Sequence, residues 1–293
     1  MLTWHQKGGN DMELLQLDHN CVLSCLPDRS PSVHKGDCGK LLLLCGSRGY
    51  TGAPALASMG ALRVGTGLVY LAVPDCIYEI EAIKLTEPVI LPISSHGGTY
   101  CAASIPEVDA LLPGKDAVLI GPGIGNNRET EALVCHVLEN YKGPIIIDAD
   151  GITVLSAHKD ILRGRTGTTI LTPHDGEYLR FGGVLSGQRV ESAVSMADDL
   201  GVIILLKGHR TIITDGKRTY LNTTGNPGMA TGGSGDVLAG MIAGLVVQGI
   251  PPLEATACAA WLHGAAGDIC AAEIGQYGML PTDMLSVLPR LLK

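Results

Sequence analysis

A chain of 293 residues, 46% hydrophobic and 17% charged, has the material for a large core, which excludes a disordered chain. Its formal charge of −8 lacks the basic footprint that nucleic-acid binding needs. Aromatic residues are only 4%, with one Phe, so the core must be built from Leu, Ile, Val and Ala, while the 39 glycines cluster in short loops without a collagen-like period.

From the N-terminus, residues 1–20 read as an extension ahead of a single domain at 21–293. The start, MLTWHQKGGNDMELL, has no apolar core of a secretory signal. Strand-like runs then follow at 40–45, 67–73, 117–121, 144–148, 168–172 and 201–207, separated by helical patterns at 52–65, 128–140, 151–158, 174–181 and 188–200. The runs are continuously apolar, as strands buried on both faces of a parallel sheet are. The βαβ rhythm predicts an α/β fold: a central, mostly parallel sheet with helices on both sides. Residues 210–222 break the rhythm with two short strands around Asp215-Gly216, the signal of a tight hairpin. Small-residue helices are expected at 234–249 and 252–273, packing closely either inside the chain or between subunits, with a last helix near 282–292. The longest apolar stretch, 237–250, is too short to cross a bilayer, so no membrane association is expected. Nine cysteines form no C-x-x-C pair and read as reduced thiols of a cytoplasmic protein.

In an open α/β sheet, ligands bind beyond the C-terminal ends of the strands, so the loops leaving each strand carry the information. GPGIGNN (121–127) is a glycine turn between strand and helix; Pro122 inside it and its late place in the chain disfavour a dinucleotide fingerprint, and no P-loop is present. DADGI (148–152) ends a strand with two carboxylates. Asp150 reads either as a water-mediated Mg²⁺ contact or as the cap of the next helix. In LTPHDGEYL (171–179), His174 and Glu177 share one helical face, either lining the crevice, with Glu177 organising metal-bound water, or forming a capping box. LLKGHRT (205–211) puts Lys207 at the end of a buried strand, where a nucleotide phosphate would supply the missing counter-charge. Lastly, NPGMATGGSGD (226–236) runs into an apolar helix, so its amides and the helix dipole make an anion site with Asp236 in the first turn. A carboxylate beside an anion hole suits a general base in phosphoryl transfer.

The glycine-rich loop with its Asp at a helix start resembles the ribokinase-like kinases, a three-layer α/β/α sandwich. Segments 36–69, 121–125, 148–152, 171–177, 205–216 and 225–249 narrow the resemblance to the ADP/ATP-dependent NAD(P)H-hydrate dehydratases, over about residues 20–290. The resemblance implies a hydro-lyase that repairs hydrated NADH or NADPH (the S forms of NADHX and NADPHX). It would phosphorylate the C6 hydroxyl of the hydrated ring from ADP or ATP, ADP being favoured, and then eliminate phosphate. It assigns Ala53, Gly123, His174 and Asp236 to the hydrate, with Asp236 catalytic, and Lys207, Gly208, His209, Arg210, Thr211 and Gly235 to the adenine nucleotide. Mg²⁺ is the implied cofactor, touched through water by Glu177 and Asp150. A homotetramer and a separate epimerase for the other hydrate form are implied too, since the short leader leaves no room for a fused one. Two departures stand out: Ser234 replaces a Thr of the loop, and Asp175 replaces a Pro, adding negative charge near the expected phosphates. A small-molecule kinase for a vitamin precursor and a non-catalytic nucleotide-binding module are the competing functions.

Overall fold

The computed structural model describes residues 2–4, 14–185 and 187–293, so part of the expected extension lies outside the described residues. Among the described residues, thirteen strands follow one another: β1 (Leu2–Trp4), β2 (Leu14–Gln16), β3 (Lys40–Leu44), β4 (Leu68–Pro74), β5 (Val89–Ile93), β6 (Ser95–His96), β7 (Thr99–Tyr100), β8 (Ala117–Ile120), β9 (Ile145–Ile147), β10 (Thr169–Leu171), β11 (Ile203–Leu206), β12 (Ile212–Thr214) and β13 (Thr219–Leu221). The helices are α1 (His19–Cys25), α2 (Gly52–Arg63), α3 (Tyr78–Lys84), α4 (Ser104–Leu111), α5 (Arg128–Asn140), α6 (Asp150–Leu155), α7 (Asp160–Arg163), α8 (Asp175–Arg180), α9 (Arg189–Leu200), α10 (Ser234–Val246), α11 (Pro252–Ile274) and α12 (Pro281–Leu291).

Eleven strands form one sheet in the order β1-β2-β13-β12-β11-β10-β9-β8-β3-β4-β5, and β6 and β7 form a separate hairpin. From β11 to β5 every pair is parallel. The cause lies in strands such as KLLLL: Leu41 and Leu43 face one helix layer, Leu42 and Leu44 the other, and all four are fully buried. One layer holds α1, α2, α10, α11 and α12, and the opposite one α4 to α9. The architecture is therefore the three-layer α/β/α sandwich with a mostly parallel sheet.

The expected strands and helices occur within a few residues of their predicted bounds, and four features go beyond the sequence reading. Residues 75–111 also contain α3, β5 and α4. The hairpin of β12 and β13 turns at Asp215-Gly216 as expected, and the turn has its own bracing: Asp215 N donates to Arg218 O (3.3 Å) and Asp215 Oδ1 accepts from Lys217 N and Arg218 N (2.9 and 2.7 Å). Leu14–Gln16 of the extension adds a strand beside β13, and α1 runs across the boundary at residue 20. The small-residue helices α10 and α11 are used internally: most of their residues are buried.

Candidate active site

Strands β3, β8, β9, β10 and β11 lie side by side and parallel, so their C-terminal exits line one edge of the sheet. From β9 and β11 come two charged residues at this edge. Lys207 Nζ donates to Asp148 Oδ1 at 2.7 Å and lies 4.0 Å from Glu177 Oε2. Thr172, at the end of β10, donates its hydroxyl to the same Asp148 oxygen (2.7 Å), and Lys207 N donates to Pro173 O (2.8 Å). Three neighbouring strand ends are thus tied together. The sequence reading looked to a nucleotide phosphate for the counter-charge of Lys207; Asp148, only 1% exposed, supplies one within the chain. Burial works against the Lys207 charge, but the Asp148, Glu177 and Asp236 carboxylates outweigh it and raise its pKa.

Asp148 and Asp150 point to different partners because Ala149 between them takes a left-handed backbone (φ 51°). Asp150 Oδ2 accepts from Gly125 N (2.9 Å), so it fastens the 121–125 turn onto α6. In that turn, Gly123 closes against α2: a Cβ there would lie 3.1 Å from Ala53 Cβ and 3.0 Å from Tyr50 Cβ. The two positions expected to meet the hydrate, Ala53 and Gly123, are therefore adjacent. Ser47 Oγ donates to Gly123 O (2.7 Å), and Gly46 N donates to Pro122 O (2.8 Å), which locks the two loops together.

His174 and Glu177 form the capping box of α8. The His174 Nδ1 accepts from Gly176 N and Glu177 N (3.0 and 3.2 Å), and Glu177 Oε2 accepts from His174 N (2.8 Å). Of the two sequence alternatives for this pair, the cap is realised; the His174 side chain is 55% exposed, and its Nε2 lies 3.4 Å from Glu177 Oε1. Asp175 carries an ion pair with Arg189 (2.7 Å), so the charge it adds is matched and the expected surplus beside the phosphates is corrected.

The glycine loop closes the site from above. Gly233 (φ 94°) ends it, and α10 begins at Ser234 with no side-chain cap; Ser234 N donates to Thr231 O (3.3 Å), which leaves the Gly235 and Asp236 N–H groups for an anion. A Cβ on Gly235 would sit 3.3 Å from Lys207 Nζ and 3.9 Å from Asp148 Oδ2, so the helix start and the ion pair face each other. Asp236 lies in the first turn of α10 and makes no side-chain hydrogen bond among the described residues. Burial, reinforced by the charges of Asp148 and Asp150 and opposed by Lys207, pushes its pKa up to about 6. Behind the loop, His263 on α11 approaches Ser234 Oγ (Nε2 at 3.4 Å), and burial pulls its pKa down to about 4, keeping it neutral.

A family model described as NAD(P)H-hydrate dehydratase matches residues 41–290, most of the chain. The chain belongs to the NAD(P)H-hydrate dehydratase family. It is 43% identical over 278 residues to the bifunctional NAD(P)H-hydrate repair enzyme of Moorella thermoacetica, covering 92% of this chain and 52% of that protein. It thus spans about half the length of such curated relatives. Among solved structures it is similar to the ADP/ATP-dependent NAD(P)H-hydrate dehydratase of Bacillus subtilis, co-crystallised with ATP and Mg²⁺. That match has a TM-score of 0.79 and 31% identity, and covers 94% of this chain and 96% of the other. A ribokinase-like protein of Enterococcus faecalis superposes with a TM-score of 0.82 at 28% identity, covering 95% of each chain. Within the family's crevice, this chain brings together Ala53 with Gly123, and Lys207 with Gly235, Asp236 and Glu177. His209 and Arg210 lie on the exposed outer part of the β11 loop, where Thr211 Oγ1 donates back to Gly208 O (3.0 Å). Sequence reasoning did not single out Asp148 among its two carboxylates, nor Arg189 and His263. Asp148 and Lys207 are 59 residues apart, and only the β9-β10-β11 order makes them partners.

The metal expectation meets a plainer geometry. No cluster of three or more His, Cys, Asp or Glu that could cage a cation occurs among the described residues. Asp150 and Glu177 already accept backbone hydrogen bonds. Such a donor set fits Mg²⁺ that is carried by phosphate oxygens and keeps most of its water, with the carboxylates as outer contacts.

Proposed function

We propose that the chain dehydrates the S form of hydrated NADH or NADPH, using ADP or ATP as phosphoryl donor, and thereby restores the reduced cofactor. One observation carries this reading: a carboxylate with a pKa near 6 stands in the first turn of a helix without a side-chain cap, beside a partly buried lysine. Family membership supplies the substrate class. Asp236 takes the proton of the C6 hydroxyl as its oxygen attacks the terminal phosphoryl group of the nucleotide. The α10 amides and Lys207 meet the charge on the transferred oxygens. Phosphate then leaves C6 while C5 loses a proton, and the C5–C6 double bond returns. AMP is the by-product from ADP, ADP the by-product from ATP. Mg²⁺ bound with the nucleotide would neutralise phosphate charge, with Glu177 and Asp150 touching its water.

In the same reading, Ala53, Gly123 and His174 line the hydrate pocket, and Lys207 to Thr211 with Gly235 hold the nucleotide. Residues 21–293 act as one catalytic domain. The reading extends to a cytoplasmic protein, in keeping with nine unpaired cysteines, and to an epimerase acting on the other hydrate form. A tetramer is supported by the family resemblance alone, because α10 and α11 spend their small residues inside the chain, and light scattering measures it.

The test is to incubate the protein with hydrated NADH or NADPH, Mg²⁺ and either nucleotide. The expected result is return of the reduced nicotinamide absorbance with release of inorganic phosphate. No recovery with either nucleotide overturns the proposal, and a stable phosphorylated product would make the protein a kinase instead.

A further inference from the structure

Arg189, the first residue of α9, has no part in the chemistry above, yet its guanidinium is built into the loop that leaves β11. Nη2 donates to Lys207 O (2.5 Å) and to Asp175 Oδ1 (2.7 Å), and Nη1 donates to His209 O (3.3 Å). Nε is buried and finds no hydrogen-bond partner among the described residues, so the group is spent on these contacts alone. The loop beneath it is not one that a chain adopts freely. Gly208 has φ +147°, and a Cβ there would come within 2.6 Å of Nη2. Arg210 is left-handed at φ 58°, a conformation that is unfavourable for a non-glycine residue and persists only where its surroundings impose it.

From these contacts we infer that Arg189 is a positioning residue for the nucleotide. It holds the Lys207–Arg210 loop in its binding shape, with Asp175 orienting the guanidinium. The ion pair itself contributes little, since Asp175 is 56% exposed. The two carbonyl contacts are what hold the loop, because only a planar fork reaches Lys207 O, His209 O and a carboxylate together. A loop ordered before binding does not have to be ordered by the nucleotide, so affinity for the nucleotide depends on Arg189 while the phosphoryl-transfer step does not. This inference rests on the reading that residues 207–211 contact the adenine nucleotide.

The experiment compares the whole protein with Arg189→Gln, Arg189→Lys and Asp175→Asn, measuring binding of ADP and ATP with Mg²⁺ by calorimetry alongside steady-state kinetics. Arg189→Gln should raise the nucleotide Kd and KM about tenfold, with kcat at saturating nucleotide and the hydrate KM both changed less than about threefold. Arg189→Lys should recover little, because an ammonium cannot bridge the two carbonyls, and Asp175→Asn should shift the same constants about threefold in the same direction. Unchanged nucleotide affinity in Arg189→Gln overturns the inference, as does an equal loss in kcat and both KM values accompanied by a lower Tm. Failure of the wild-type protein to bind either nucleotide would instead overturn the underlying reading of the loop, and the inference with it.

Discussion

Asp236 shows how one side chain comes to carry a mechanism. In isolation, an aspartate in the first turn of a helix is a favourable dipole partner, and the dipole would lower its pKa. Here burial and the like charges of Asp148 and Asp150 overcome that effect, and the group titrates near 6. A base must be ionised to act, so kcat/KM for the hydrate should rise with pH through about 6 and level off above it. A pH–rate profile with no acid limb in that region would remove Asp236 from the role. Asp236→Asn should cost about 10²–10⁴-fold in kcat, the range for a lost general base, while nucleotide binding stays within a few fold. The same pKa fixes a stability effect by linkage. The folded protein holds this proton more tightly than the unfolded chain, so the Asp236 contribution is most favourable below the unfolded value near 4 and is lost as pH rises through 6. At neutral pH, therefore, Asp236→Asn should unfold at a higher temperature than the wild type, whereas at pH 4 the two should converge. A variant that loses activity and melts lower at neutral pH would indicate a structural aspartate.

At the scale of elements, α2 and α10 carry the two halves of the site, and they touch backbone to backbone. A Cβ on Gly240 would sit 2.0 Å from Ala57 O, and one on Gly60 would sit 2.4 Å from Val237 O. Small residues at three- and four-residue spacing let the helices approach this closely, which sets Asp236 relative to Ala53. In an exposed helix, glycine to alanine stabilises by roughly 1 kcal/mol, while overpacking a core costs about 1–3 kcal/mol. The obstacle at Gly240 is a carbonyl with no freedom to move aside, so the clash wins. Gly240→Ala should lose about 2 kcal/mol and lower kcat/KM by displacing α10. Gly52→Ala at the open start of α2 should be neutral or slightly stabilising, as thermal melts would show. This packing was only half legible in the sequence, where small-residue helices fit internal and intersubunit contacts equally. The central strands were legible because burial on both faces leaves an unbroken apolar run such as III (145–147) or VIILL (202–206). By contrast, Val89–Ile93 at the sheet edge is partly exposed, and its run is broken by Pro92, so it carried little signal. Helix α3 mixes two glutamates into a single seven-residue element, and β2 consists of three residues, too few for a period to show.

Over the whole molecule, the parallel sheet does what no local pattern announces: it sets residues from distant segments at neighbouring strand ends. The site motifs were readable one at a time because each lies in a loop with unusual glycine, proline or charge content. Their pairings were not, and Lys207 is the clearest instance. Its charge looked unpaired in LLKGHRT, yet β9 delivers Asp148 to it, held in turn by the Thr172 hydroxyl from the end of β10, and α8 delivers Glu177. The pair is consequential for fold and chemistry together. Removing one partner of a buried ion pair leaves the other uncompensated, at about 3–5 kcal/mol. Lys207→Met would strand Asp148, which is 1% exposed, and should lower stability by that order. Lys207 also opposes the upward shift of the Asp236 pKa, so in the variant the acid limb of the pH–rate profile should move above 6. Adding Asp148→Leu to Lys207→Met removes the stranded charge and should return much of the stability. It also removes the like charge that raises the Asp236 pKa, so the acid limb should move back down while the rate stays low for want of the lysine. Urea unfolding and rate profiles on the wild type, Lys207→Met and the double variant separate these effects. If stability and rate recover together in the double variant, Lys207 serves the fold alone; if only stability recovers, the charge that ties the strand ends also serves the transferred phosphate.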